Sequence, residues 1–269
     1  MAFGTVPKGV WAGWVRPDHD NQVDLENRAL LVQQGGQNIL VLAGCDTLLA
    51  PLPRTCRCQK HTRSLLDSLT RLGLDEGDID LVLLTHLHAM PGPELRAAIN
   101  EGETPRLLFH NARYMISERH WHRALRPHPL DRNLFVRQIV LRLKASERVE
   151  LIAGGACPQL GSGWHLHVSD GHTPGQLLPE IRTVGGPVVF AGDLVPGTHW
   201  LALEVASGFD CNPQRLVDEK EQLLDYIVAN KGRLVLARDP RAAMIRVARD
   251  RQARYQPFDE HSELRQLEA

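Results

Sequence analysis

The sequence predicts an α/β protein in which two packed β-sheets are flanked by helices. Three observations carry this expectation. Apolar runs of strand length recur along the chain, and the sharpest, Leu81-Val82-Leu83-Leu84, suits a strand buried on both faces. Segments of helical spacing interrupt those runs. The second half of the chain then repeats the alternation seen in the first.

Taken in order, residues 29–32 and 38–42 are apolar runs joined by Gln-Gln-Gly-Gly-Gln, which reads as a hairpin with a glycine turn. A proline- and cysteine-rich loop is expected over 50–58. Leu65, Leu66, Leu69 and Leu72 recur at helical spacing, with Gly73 as the stop. An acidic turn at 75–78 leads into a strand at 81–85. A helix is expected after Pro93, since proline suits a first helical turn. Residues 106–109 read as a strand, Glu118–Leu125 as a helix, and 126–129 as a loop. Residues 132–143 fit a helix or a strand. Strands are then expected at Val149–Ile152, 164–168, 188–191, 200–205 and 233–237. A long helix is expected at Pro213–Ala229, with Asn212 as its N-cap. The whole chain reads as one domain, its core at about residues 28–247 and a charged, peripheral tail at 248–269.

Composition narrows the function classes. The 31 basic and 32 acidic residues leave a net charge of −1, so no basic field points to nucleic acid. Five cysteines, an odd number without the spacing of a disulfide framework, indicate a reducing, cytoplasmic compartment. Residues 1–14 lack the basic and apolar regions of a signal peptide. No apolar stretch has the length needed to span a bilayer. A small-molecule substrate is the expected partner, with neither nucleic acid nor membrane.

Four strand ends carry charged or metal-competent side chains. The run 81–84 leads into Thr85-His86-Leu87-His88, two imidazoles two residues apart just past a strand. Imidazoles so placed can enter one cleft and hold a metal through neutral ring nitrogens. Gly171-His172-Thr173-Pro174-Gly175 places a histidine in a tight turn. Phe190-Ala191-Gly192-Asp193 ends a strand in a carboxylate, and Leu236-Ala237-Arg238-Asp239-Pro240 ends another in Arg-Asp. Together they suggest side chains converging at one edge of the sheets.

Over residues 28–247 these motifs, in this order, resemble the metallo-β-lactamase-fold superfamily. The resemblance implies a four-layer αββα sandwich of two mixed sheets flanked by helices, with metal at one edge. The stretch from Asp193 to Pro240 resembles the lactonase and phosphotriesterase-like hydrolase branch. The chain departs from the pattern in an ordered way. The family's His-x-His-x-Asp-His motif has Met90 and Pro91 in its last two positions here. The late histidine before Asp-Pro is Arg238, and Leu42-Ala43-Gly44 stands where Asp-Thr-Gly is usual. By the resemblance, one metal takes His86, His88 and His172, and Asp193 bridges to a second. The second metal's own ligands correspond to Met90, Pro91 and Arg238, so all the losses fall on one site.

The expectation is therefore a single divalent ion on His86, His88, His172 and Asp193. Three imidazoles and a carboxylate suit zinc first, with iron(II) or manganese(II) as alternatives. Methionine is a weak soft ligand, proline has no side-chain donor, and arginine is permanently cationic. The Arg238 guanidinium is expected in or near the vacated second site, paired with Asp193 or a substrate anion; the alternative is that it faces solvent. With Asp193 and Arg238 as catalytic residues, the chain reads as a mononuclear metal-dependent hydrolase of an ester, lactone or phosphoester. A non-catalytic binding or regulatory member of the fold is the competing class. A mononuclear iron sulfur dioxygenase, built on His86, His172 and Asp193, is the second alternative.

Met90 cannot transfer protons, so His120, His122, His128 and His199 are candidate replacements, each also readable as a surface or supporting residue. His165 and His167 share one strand face and read as structural. Cys56-Arg57-Cys58 with His61 lacks the second pair of a structural zinc site and reads as a loop. Cys45 reads as core. Trp200, Leu201 and Phe209 lie in the loop 198–210, which faces substrate in the resembling hydrolases; packing of Trp200 beneath that loop is the alternative. The resemblance also admits a homodimer.

Overall fold

Gly35 and Gly36, both at positive φ (56° and 75°), turn the chain between β1 (Ala29–Gln34) and β2 (Gln37–Leu42). The expected hairpin is thus present, with Ala29 paired to Leu42 and Gln34 to Gln37. The computed structural model describes residues 2–50, 57–89, 106–264, 266 and 267, with backbone alone for 50 and 57–63. Met90, Pro91 and Cys56, and the helix expected after Pro93, lie outside the described residues; of Cys58 and His61 only the backbone is described. The chain divides into two compact units, Ala29–Ala153 and a second formed by Met1–Arg28 with Gly154–Ala269.

In the first unit, β2, β4 (Leu81–Leu84), β6 (Arg113–Ser117) and β7 (Val149–Ile152) run parallel, and β1 adds an antiparallel edge. The four residues of β4 are all buried, as a strand between two parallel neighbours requires. A small ladder pairs β3 (Leu49–Ala50) with β5 (Arg106–Leu107). Helix α2 runs Arg57–Arg71, so Cys58 lies in a helix rather than the expected loop. Ser117 caps α3 (Glu118–Leu125) by accepting from His120 N at 3.1 Å. The ambiguous stretch resolves into a short 3₁₀ turn, Arg132–Leu134, and α4, Arg137–Ala145. The core of this unit joins Leu40, Val82, Leu84, Tyr114, Ile116 and Ile139.

In the second unit, seven strands form one mixed sheet in the order β14-β13-β12-β11-β10-β9-β8. These are β8 (Gly155–Ala156), β9 (Trp164–Ser169), β10 (Gln176–Thr183), β11 (Gly186–Phe190), β12 (Arg233–Val235), β13 (Met244–Arg249) and β14 (Tyr255–His261). Only β11 and β12 are parallel, with Phe190 opposite Val235. The sequence reading leaves out β3, β6, β8, β10, β13 and β14. It also places a strand at 200–205, where the chain forms a 3₁₀ turn, Thr198–Leu201, and a loop. The charged tail is not wholly peripheral: β14 is the sheet's edge strand, and Tyr255 within it is buried. Helix α1 (Lys8–Trp11) and the long α5 (Pro213–Ala229) complete this unit, α5 capped by Asn212 as expected. No described helix is long and apolar enough to cross a membrane.

Lys220 of α5 is fully buried and donates to the carbonyls of Ala202 (2.9 Å) and Val205 (2.8 Å), tying the loop after the 3₁₀ turn to the helix. Burial lowers its pKa to about 8, against the opposing pull of Asp210 and Glu204. The ordinary value is 10.5. Between these values the unfolded chain holds one more proton than the folded one, so this group makes stability rise with pH across that window. The stability difference between the parent chain and Lys220→Met, from urea denaturation, is expected to be flat below about pH 8 and to grow in the parent's favour towards pH 10. A difference independent of pH would show that the ammonium is not desolvated.

Candidate metal centre

The first unit contributes two imidazoles from the end of β4. His86 and His88 are 0% and 3% exposed, and their ring centroids lie 5.3 Å apart at an interplanar angle of 87°. A hydrogen bond of 2.8 Å joins His86 Nδ1 to the Thr85 hydroxyl. With Nδ1 donating there, Nε2 carries the lone pair that would ligate. Between the two histidines, Leu87 N donates to His120 Nε2 at 2.8 Å. That bond fixes the backbone from which both rings project. It also makes His120 a neutral acceptor on this nitrogen, a positioning residue rather than the replacement acid that the sequence suggests. Asp131, 1% exposed, places Oδ2 at 3.8 Å from His88 Nε2 and accepts from Arg123 Nε at 2.8 Å. The ring of Phe135 meets His88 edge-on at 4.8 Å.

The second unit holds a buried imidazole, His172, with two buried carboxylates beside it. His172 Nδ1 lies 2.8 Å from Asp210 Oδ1, and Asp210 Oδ2 accepts from Ser207 N at 2.6 Å. A carboxylate partner on Nδ1 selects the tautomer with a lone pair on Nε2, the arrangement usual for a metal-ligating histidine. Nε2 stands 3.8 Å from Asp193 Oδ2. Asp193 leaves β11 three residues after Phe190, and Arg238 leaves β12 three residues after Val235. Because β11 and β12 are parallel with Phe190 opposite Val235, equal offsets bring the two side chains together. Arg238 Nε donates to Asp193 Oδ1 at 2.9 Å and Nη2 to Oδ2 at 3.3 Å, while Nη1 donates to Asn27 Oδ1 at 2.7 Å. Both partners are buried, at 3% and 7% exposure. Of the expectations for Arg238, the pair with Asp193 is the one that the structure contains, and the solvent-facing alternative falls.

The surroundings keep this pair in place. Arg238 N donates to Pro196 O, and Glu26 N and Arg28 N donate to the carbonyls of Arg238 and Ala237. Asp239 accepts from Thr198 N and Oγ1, Arg241 N and Ala242 N. Burial pushes the Asp239 carboxyl up, but those hydrogen bonds outweigh it and hold the group below its ordinary range. Gln176, with its amide turned so that oxygen faces the turn, accepts from Asp193 N and Leu194 N. Gly192 sits at φ +54°, a left-handed conformation in which a Cβ would lie 2.6 Å from the end of the same Gln176 amide, so glycine suits this close turn.

His86 and His88 in the first unit and His172 in the second are each buried. In the second unit both oxygens of Asp193 accept from Arg238. The donor set fits a metal: the partners of His86 and His172 leave Nε2 as the ligating atom of each, and neutral imidazole is a good ligand for zinc and its neighbours. His122 and His128 are exposed, and His199 stacks on Trp14 at 5.8 Å. Trp200 is buried against Phe3, with ring centroids 4.7 Å apart, so it packs in the core instead of lining a substrate surface. Leu201 is buried too, and Phe209 half-buried. Cys45 is core, its thiol donating to Leu87 O at 3.1 Å. His167 pairs with the buried Glu180 at 2.7 Å, as a structural histidine would. Asp131 and Asp210 carry no sequence signal, because the histidines they meet are 43 and 38 residues away in the chain.

No family model matches the chain, and no curated protein matches it in sequence. Solved structures do match. A probable metal-dependent hydrolase from Staphylococcus aureus has a TM-score of 0.75 at 22% identity, covering 96% of this chain and 91% of its own. The hydrolase AbOPH of the beta lactamase superfamily has a TM-score of 0.73 at 22% identity, covering 98% of this chain and 91% of its own. AidC, a dizinc quorum-quenching lactonase, has a TM-score of 0.67 at 20% identity, covering 90% of this chain and 82% of its own. The chain therefore has the metallo-β-lactamase fold, as its motifs imply. At these identities the likeness establishes fold.

Removing one partner of a buried ion pair strands the other charge, at a cost of about 3–5 kcal/mol. Arg238→Met should lower the stability of the metal-free chain by that order in urea denaturation. Adding Asp193→Asn should recover most of the loss in a double-mutant cycle. A single-variant loss below about 1 kcal/mol would mean that the pair is effectively solvated.

Proposed function

We propose that the chain is a metal-dependent hydrolase carrying one divalent ion, zinc first, on His86, His88 and His172. Asp193 and Arg238 act together beside it. The observation that carries this reading is the Asp193–Arg238 pair. A guanidinium that engages both carboxylate oxygens puts a fixed positive charge where the resembling two-metal enzymes place a further cation, and like charges at such range repel strongly. The burial of all three histidines, each within its own unit, supports the remaining site.

When bound, such an ion polarises a carbonyl or phosphoryl oxygen and lowers the pKa of a bound water to about 7. The protein's own residues supply orientation. Asp210 holds the His172 ring, Thr85 holds His86, and His120 holds the backbone between His86 and His88. Arg238 holds Asp193 in place, and it is the cation beside which an anion developing on an ester, lactone or phosphoester would be stabilised. The substrate is a small molecule of one of those classes, and the protein acts in the cytoplasm. The same ion pair also favours a second reading, a binding member of the fold without turnover, because it replaces a whole set of ligands.

Metal analysis of protein purified without chelator is expected to give about one ion per chain, lost in His172→Ala. Lactones, aryl esters and phosphotriesters are then offered to the loaded protein. Turnover that disappears in His172→Ala and survives in Met90→Ala supports the hydrolase. Two ions per chain would overturn the mononuclear site. One ion with no turnover on any of the three classes would leave the binding reading standing in its place.

A further inference from the structure

The turn that presents His172 is held from helix α5 by one side chain that the proposed chemistry does not use. Glu219 is half-buried, and its two carboxylate oxygens receive four donors. Oε2 accepts from Ser169 Oγ at 2.7 Å, Asp170 N at 2.9 Å and Gly171 N at 2.9 Å. Oε1 accepts from Arg215 Nε at 2.7 Å and shares Asp170 N at 3.0 Å. Arg215 in turn pairs with Asp170 at 2.5 Å, and Asp170 Oδ1 accepts from Gly175 N at 2.8 Å, closing the 171–175 turn on itself. On the other side of the turn, Gly171 O accepts from Asn212 N at 2.8 Å and His172 O from Cys211 N at 3.0 Å. A Cβ at Gly171 would lie 2.3 Å from Leu216 Cα, so the turn is pressed directly onto the helix.

We propose that Glu219 is the positioning residue for His172, acting as the carboxylate clamp that sets the ligand's backbone while Asp210 sets its ring. The inference rests on the metal reading above. Its physical basis is the count of donors. Every contact that Glu219 makes is with an N–H or O–H, so both oxygens must accept and neither can be replaced by an amide NH₂ without placing donor against donor. Two of the donors are backbone N–H groups immediately before His172, and a buried N–H that loses its acceptor moves to find another. A rotation of the peptide at 171 swings the imidazole, and a metal ligand tolerates errors of only about 0.5 Å. Burial alone would raise the Glu219 carboxyl, but its hydrogen bonds from Ser169, Arg215, Asp170 and Gly171 outweigh that and hold it ionised.

The test compares the full-length parent chain, Glu219→Gln, Ser169→Ala and His172→Ala with cobalt(II) as the probe. Affinity is read by competition with a chromophoric chelator and ligand geometry by the visible d–d band. Glu219→Gln is expected to bind cobalt(II) about 10–100-fold more weakly, the cost typical of lost outer partners of a metal ligand, and to shift the d–d band. Ser169→Ala, which removes one donor and leaves the carboxylate, should shift both in the same direction by less. That keeps the test decisive should Glu219→Gln fail to fold. Affinity within about twofold of the parent and an unchanged band in Glu219→Gln, while His172→Ala has lost the ion, overturns the clamp and leaves the metal reading intact. No cobalt(II) uptake by the parent chain overturns the metal reading and the clamp with it.

Discussion

The Asp193–Arg238 pair is the constraint around which this site is built. Two charges, both nearly excluded from water, face each other at the ends of the only parallel strand pair in their sheet. Taking each from water costs several kcal/mol, and only good geometry with further hydrogen bonds offsets that. Both conditions are met: the guanidinium fork spans the carboxylate, and Asn27, Pro196 and Gln176 engage the groups that remain. The pair also fixes the charge of its surroundings. A carboxylate neutralised by a permanent cation has little attraction left for a second dication.

Much of this was legible in the sequence, for a definable reason. His86, His88, His172, Asp193 and Arg238 each stand just past an apolar run, so chain position alone told where they would emerge. The hairpin at Gly35-Gly36 and the long helix from Pro213 were legible through turn and cap chemistry. The failures have equally local causes. The apolar stretch from Trp200 to Val205 reads as a strand, but its residues are apolar because they pack on Phe3 and beneath the loop, with no strand partner. Strand β14 escaped because an edge strand carries carboxylates and other polar residues where a central one carries aliphatics, and β13 because arginines interrupt its short apolar pattern.

The supporting residues were the least legible part of the site. Asp210, Glu219, His120 and Asp131 act through hydrogen bonds or ion pairs across long chain separations, and nothing in spacing or composition marks such a contact. His120 shows the limit most clearly. Its residue type invites a role in proton transfer, yet its nitrogen serves the backbone between the two motif histidines. Helix α5 shows the converse. Its cap and length were predictable, but it is also the scaffold from which Glu219 reaches one side of the His172 turn and Lys220 the loop that carries Asp210.

The aromatic cluster of Phe3, Trp11, Trp14 and Trp200 has a spectroscopic consequence. Of the chain's five tryptophans, Trp11, Trp14, Trp164 and Trp200 belong to one compact unit, and Trp121 alone reports on the other. Intrinsic fluorescence is therefore drawn mainly from the unit that bears His172, with the His199 imidazole stacked on Trp14. An emission melt reports chiefly on that unit, and following the unit of His86 and His88 calls for a chain in which Trp121 is the sole tryptophan.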